Sequence, residues 1–281
     1  MDQEKLRVAI IGCGEVCRNH VRGYLRSDRY ELVALCDVRP EGMVAFDKHF
    51  NGSPNYNPIH FVDAETMLSE AVPDVVSIGV WDGLHKGMVD LCANAEVTAI
   101  MCEKPMSDST LDAWEMIKVC EDNAVKLAVG HQRRFLPSYN LVREAIANGH
   151  IGDVHLLTSF ARDGLPNYSS HLSDTFRYLL GDPECLWVMG NVERFTDQWA
   201  RAVPIEDKAL GIFGFAGGAQ AFILSGLTDY HGFGGRIYGS DGTIEFTVSE
   251  MKIMSFDSTG WVTHRPVSYT HLRAHETRED R

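Results

Sequence analysis

Short, nearly unbroken apolar runs punctuate the first 130 residues, at 8–11, 32–36, 75–80, 97–102 and 127–130. Runs of this length without polar alternation predict strands buried on both faces, as in a parallel sheet covered by helices. A further strand at 59–62 reads as an edge. Amphipathic stretches lie between the runs and predict helices at 15–26, 40–50, 64–70 (with Asp63 as N-cap), 86–94 and 107–123. Beyond residue 130 the pattern changes. A helix at 138–148 carries Leu141, Val142, Ala145 and Ile146 on one face. From 154 onward strands separated by turns take over, at 154–161, 185–195, 207–216, 219–226, 234–239, 243–248 and 251–256, with one helix at 171–180. Gly217-Gly218 and Ser240-Asp241-Gly242 have the composition of hairpin turns.

The expected fold is therefore α/β. A doubly wound parallel sheet of Rossmann type spans 1–130, and an α+β domain with a mixed, largely antiparallel sheet spans 131–266. Residues 267–281 have no strand alternation and almost no apolar face. They resemble translated sequencing-adapter read-through, so they are expected to make few contacts, and the chain is expected to be a truncated product. No internal repeat is present.

Composition narrows the partners. A formal charge of -13 over 281 residues argues against nucleic acid and anionic membranes. No apolar run reaches membrane-spanning length, and Met1-Asp2-Gln3-Glu4-Lys5 leads into a strand rather than a signal peptide, so a cytoplasmic location is expected. The seven cysteines form no C-x-x-C pair and read as reduced, buried small hydrophobes, and no metal site is expected.

The chemistry begins at Gly12-Cys13-Gly14-Glu15-Val16-Cys17, which joins the first strand to the first helix. Gly12 suits a tight turn, and Gly14 leaves room for a pyrophosphate. The opening N–H groups at Glu15 and Val16, with the helix dipole, favour phosphate charge. Cys17 stands where a third small residue is usual, so helix and strand are expected to sit slightly further apart. Asp37, at the end of the second strand, suits the adenosine ribose hydroxyls and would repel a 2′-phosphate. This predicts NAD as cofactor, with Arg39 the one feature that could admit NADP. Trp81, Asp82 and His85 follow a strand end and are candidates to line the ligand crevice.

The fifth strand ends in Glu103-Lys104-Pro105. After a dinucleotide fingerprint, this resembles the Gfo/Idh/MocA oxidoreductases, and His131-Gln132-Arg133-Arg134-Phe135 and Gly149-His150-Ile151-Gly152 continue the resemblance to about residue 266. The resemblance implies a cis proline peptide, a homo-oligomer (dimer or tetramer), and Lys104 beside the nicotinamide with Glu103 flanking it. It also implies that His171 accepts the proton of a substrate hydroxyl, with Asn167, Asp174 and Arg134 on the substrate side. Lys104 and His171 are expected to serve one reacting centre. Asn167 departs from the aspartate of inositol dehydrogenases, which puts a Lys-Asp-His relay in doubt, because an amide cannot share a proton as a carboxylate does.

The reading that follows is an NAD(P)-dependent dehydrogenase or reductase acting on CH–OH groups of a sugar, cyclitol or related small molecule. Two alternatives stand beside it: an NAD-dependent glycosidase of the same family, and a non-catalytic nucleotide-binding sensor or subunit. Net reduction of free cofactor separates the first from both.

Overall fold

The computed structural model describes residues 4–161, 165–200, 203–227 and 233–266, so what is expected of 267–281 lies outside the described residues. The chain divides into two compact units between Gly130 and His131. The first runs β1 (Leu6–Ile11), α1 (Glu15–Leu25), β2 (Tyr30–Cys36), α2 (Pro40–Phe50), β3 (Ile59–Phe61), α3 (Ala64–Ala71), β4 (Val75–Ile78), α4 (His85–Ala93), β5 (Ala99–Cys102), α5 (Thr110–Asp122) and β6 (Lys126–Val129). The six strands are parallel, in the order β3-β2-β1-β4-β5-β6. Strand order reverses between β1 and β4, and it is outside the carboxyl ends of strands at such a point that open α/β sheets take ligands.

Two-sided burial explains the apolar runs. Alternate residues of β1 point to opposite faces. Ala9 and Ile11 join Ile78, Ile100 and Met116 in one core, while Val8 and Ile10 join Val21, Leu35 and Phe46 in the other. Each fully buried aliphatic side chain contributes about 1.5–3 kcal/mol, so neither face tolerates a polar residue at these positions. Asp63 caps α3 as expected, its Oδ1 accepting from the Thr66 N–H at 2.8 Å. Helix α5 starts later than the pattern suggested. Ser109 is its cap and accepts from the Asp112 N–H at 3.4 Å, which leaves 107–109 as a turn.

The second unit contains α6 (Pro137–Ala147), β7 (Val154–Ala161), a π-helical turn at Leu165–Ser169, α7 (Ser170–Leu179) and β8 (Cys185–Glu193). A small hairpin, β9 (Trp199–Ala200) and β10 (Val203–Pro204), follows. The unit ends with β11 (Lys208–Phe215), β12 (Gln220–Ser225), β13 (Gly234–Gly239), β14 (Gly242–Thr247), β15 (Met251–Ser255) and β16 (Val262–His264). Eight strands form one sheet, β16-β15-β14-β13-β7-β12-β11-β8, parallel between β7 and β12 and antiparallel elsewhere. Tyr139 and Val142 of α6 and Leu172 and Phe176 of α7 pack against Leu157, Ile223, Ile237 and Ile244, so both helices cover one face. The π-helical turn, the β9–β10 hairpin and β16 are additions to the expected elements. The strands among them are only two or three residues long, too short to show alternation.

Candidate functional site

The end of β1 is shaped by two glycines with different duties. Gly12 has φ +93°, and a Cβ there would lie 2.8 Å from the Gly79 backbone, so the turn between β1 and α1 requires it. At Gly14 a Cβ would meet nothing within 4 Å, and no side chain caps α1. The protein itself leaves that space open, beside free N–H groups at a helix start, which fits a dinucleotide pyrophosphate. Asp37 closes the loop from below. Its Oδ2 accepts from the Cys13 N–H and its Oδ1 from the Arg39 N–H, both at 2.8 Å. The carboxylate retains lone pairs for ribose hydroxyls. Arg39 extends into solvent with its side chain 79% exposed, its Nε 3.9 Å from Asp37.

Cys17 is accommodated by a partner that the spacing alone did not reveal. A Cβ on Gly79 would collide with the Cys17 sulfur, so the glycine after β4 supplies the room that the third loop position lacks. Burial pushes the Cys17 thiol up to about 12, which keeps it an inert thiol.

The end of β5 is held from two sides. His20 of α1 hydrogen-bonds Glu103 (Nε2 to Oε1, 2.9 Å), and Glu103 Oε2 accepts from the Lys104 N–H at 3.2 Å. Burial pushes the Glu103 carboxyl up, but the His20 bond and the nearby Lys104 outweigh it and hold the group below its ordinary value. A Cβ at Gly130 would lie 2.9 Å from Glu103 Oε1, so a side chain there would push the carboxylate out of its present position. The Lys104-Pro105 peptide is cis. His85 is fully buried. Its Nδ1 faces the carbonyls of Pro105 and Met106 at 3.0 and 3.2 Å, and its Nε2 faces that of Val80 at 3.2 Å, so it clamps the turn after Lys104 to the turn after β4. Trp81 is open to solvent.

In the second unit His171 lies in the first turn of α7 and is buried, with Phe233 meeting its ring edge-on at 5.8 Å between centroids. Tyr168 stacks on the same Phe233. Asn167 lies in the π-helical turn by its backbone, and its side chain lies outside what is described. Asp174 accepts from Arg134 Nε and Nη2 at 2.9 and 2.7 Å, and Asp182 accepts from Nη1 and Nη2 at 3.1 and 2.7 Å. The guanidinium is thus committed to two carboxylates, Asp174 first, and both raise its pKa above the ordinary value. His131 Nδ1 lies 3.7 Å from Asp174. The preceding arginine, Arg133, is buried against Phe233 with its guanidinium carbon 3.2 Å from the ring centroid.

Gly12, Gly14, Asp37, Glu103, Lys104 and His171 stand out in the sequence, whereas His20 and Phe233 do not, and Arg133 stands out only as part of the His131–Phe135 run, without a role of its own. No local spacing marks them, because their partners lie 83 and 100 residues away along the chain. Among the described residues no group of three His, Cys, Asp or Glu side chains is placed to hold a metal, and no helix is long and apolar enough to cross a membrane.

Residues 6–131 match a family model described as an oxidoreductase family with an NAD-binding Rossmann fold. A D-apiose dehydrogenase of Paraburkholderia graminis is 36% identical over 149 residues, which cover 53% of this chain and 38% of the relative. The chain thus spans well under half of that relative's length. A myo-inositol 2-dehydrogenase of Thermotoga maritima is 26% identical over 91% of this chain and 79% of its own length. Among solved structures, the WlbA dehydrogenase of Bordetella pertussis in complex with NADH and UDP-GlcNAcA superposes with a TM-score of 0.76 at 25% identity, covering 92% of this chain and 84% of that one. The first unit, through residues 6–131, thus matches the Gfo/Idh/MocA model of NAD-binding Rossmann oxidoreductases.

Proposed function

We propose that the protein is an NAD-dependent dehydrogenase of a small polyhydroxy compound, a sugar or cyclitol. The observation that carries this reading is the loop at Gly12–Gly14, with its open space beside unpaired helix N–H groups and Asp37 beneath it. The nicotinamide, when bound, supplies the acceptor for hydride from a CH–OH carbon. The chain supplies the rest. Backbone N–H groups at Glu15 and Val16 take the phosphates, and Asp37 takes the ribose hydroxyls and disfavours a 2′-phosphate. Arg39 sets how far NADP competes. Lys104 donates to the reacting oxygen, and His171 receives the proton of the hydroxyl. Asn167 orients that hydroxyl as a neutral hydrogen-bonding group. Asp174 and Arg134 act on substrate through α7, whose first turns they brace. Glu103 and His85 hold the Lys104 turn, and Trp81 flanks the nicotinamide side. The dehydrogenases of D-apiose and myo-inositol among the relatives support CH–OH chemistry.

We also infer a homo-oligomer and a cytoplasmic setting. The sheet face opposite α6 and α7 carries exposed Trp187 and Met189 on its β8 edge and, across β7, β13 and β14, a groove of about 510 Å³ lined in part by Tyr238 and Phe160, an apolar area that suits a second copy. The cysteines of the described residues are all unpaired thiols, which suits a reducing compartment. The test of function is NADH formation, followed by its absorbance, on a panel of aldoses, polyols and cyclitols. Net NADH from at least one compound, lost in Lys104→Ala, is expected. NAD binding without net NADH from any compound would leave the glycosidase or sensor reading in its place.

A further inference from the structure

Arg133 follows β6 by only a few residues, yet its side chain belongs to the second unit, where it is 8% exposed. Its guanidinium carbon lies 3.2 Å from the centroid of Phe233, the same ring that meets His171 edge-on and Tyr168 face-on. Stacking on that ring offsets part of the cost of burying the cation. Nε and Nη1 are nonetheless buried without a hydrogen-bond partner among the described residues. Burial, the dominant influence, pushes its pKa below the ordinary arginine value, and only Tyr139 opposes that. The neighbouring Arg134 has two carboxylates, and Arg133 has none among the described residues. In a chain of net charge -13, a buried cation left without a carboxylate is an unexplained expense.

We propose that Arg133 is the anion reader of the substrate pocket, and that the substrate is a polyhydroxy carboxylic acid, a sugar acid, whose carboxylate pairs with this guanidinium close to His171. The inference rests on the dehydrogenase reading above and deepens it. A neutral hydroxyl would fill a donor but leave the charge uncompensated, whereas a carboxylate does both. Nε and Nη1 lie on different edges of the guanidinium, so a carboxylate at one edge leaves a donor for a substrate hydroxyl at the other. Phosphate is the other oxyanion that such a group could take. The cofactor's phosphates already have the open Gly14 loop and the start of α1, so the carboxylate is the better match.

The test is calorimetric binding to the chain saturated with NAD, using D-glucuronate, D-galacturonate and D-gluconate against D-glucose, D-galactose and D-glucitol as matched neutral partners. At least one acid should bind tenfold or more tightly than its neutral partner, and in Arg133→Met that preference should fall to within about twofold. Arg133→Lys should keep part of it. Equal affinity for every matched pair in the wild type would overturn the proposal without recourse to any variant. So would an acid preference that survives in Arg133→Met. A tenfold loss of NAD affinity in Arg133→Met with the acid preference retained would assign the guanidinium to the cofactor instead. Because binding is read apart from turnover, NADH formed from a neutral compound with no acid preference would overturn this proposal and leave the dehydrogenase reading standing.

Discussion

Gly12 and Gly14 are chemically identical, yet the fold asks for one and the ligand for the other. Gly12→Ala forces a side chain into a left-handed turn against the Gly79 backbone and should cost about 1–3 kcal/mol, seen as a lower Tm. Gly14→Val projects into open space and should leave Tm nearly unchanged while weakening NAD binding about tenfold or more, measured by calorimetry. Equal thermal loss in both variants would remove the distinction. Asp37 admits a similar test at the other end of the cofactor. Asp37→Ala should narrow the affinity gap between NAD and NADP, and a wild type that prefers NADP would mean that Arg39 governs the pocket. The glycine loop and Asp37 were legible in the sequence because their function depends on neighbours a few residues away and on one strand end. Cys17 was legible only as an irregularity, since the glycine that accommodates it is 62 positions further on.

At the scale of elements, the long apolar runs and the amphipathic helices could be read because burial on one or two faces imposes its own period on many consecutive residues. The same reasoning fails for β9, β10 and β16, which are two or three residues long, and for the π-helical turn ahead of α7. It also fails for what holds the elements to one another. Arg134 joins α7 to the turn at Asp182 across 40 and 48 residues, and no pattern predicts which carboxylates it meets. Arg134→Met strands both carboxylates, and with the pair part-exposed it should cost about 1–3 kcal/mol of stability by chemical denaturation. The His20 bond to Glu103 ties α1 to the end of β5 and carries a pH signature. In the folded state the carboxyl sits below its ordinary 4.5, because the His20 and Lys104 interactions overcome burial. Its contribution is therefore complete above about pH 4.5 and lost as pH falls through the lower folded value. Thermal melts below that pH should show Glu103→Gln losing less stability than the wild type. Parallel losses would mean that the bond contributes nothing.

For the whole molecule, the acidic balance and the two sheet types were visible in the composition and in the change of pattern after residue 130. The different surroundings of Arg133 and Arg134 were not, because they depend on Phe233, Asp174 and Asp182 arriving from three separate elements. The proposed dehydrogenase function assigns Lys104 and His171 to the hydride-transfer step. The most direct measurement is single-turnover NADH formation, with NAD affinity determined in parallel, for the wild type, Lys104→Ala and His171→Ala on the best compound of the sugar and sugar-acid panel. Each variant should slow the chemical step by about 100-fold or more while NAD affinity stays within about twofold, as expected for the loss of a positioned acid–base group. Undiminished NADH formation in both variants would contradict that assignment and leave the chain a nucleotide-binding protein whose chemistry lies elsewhere.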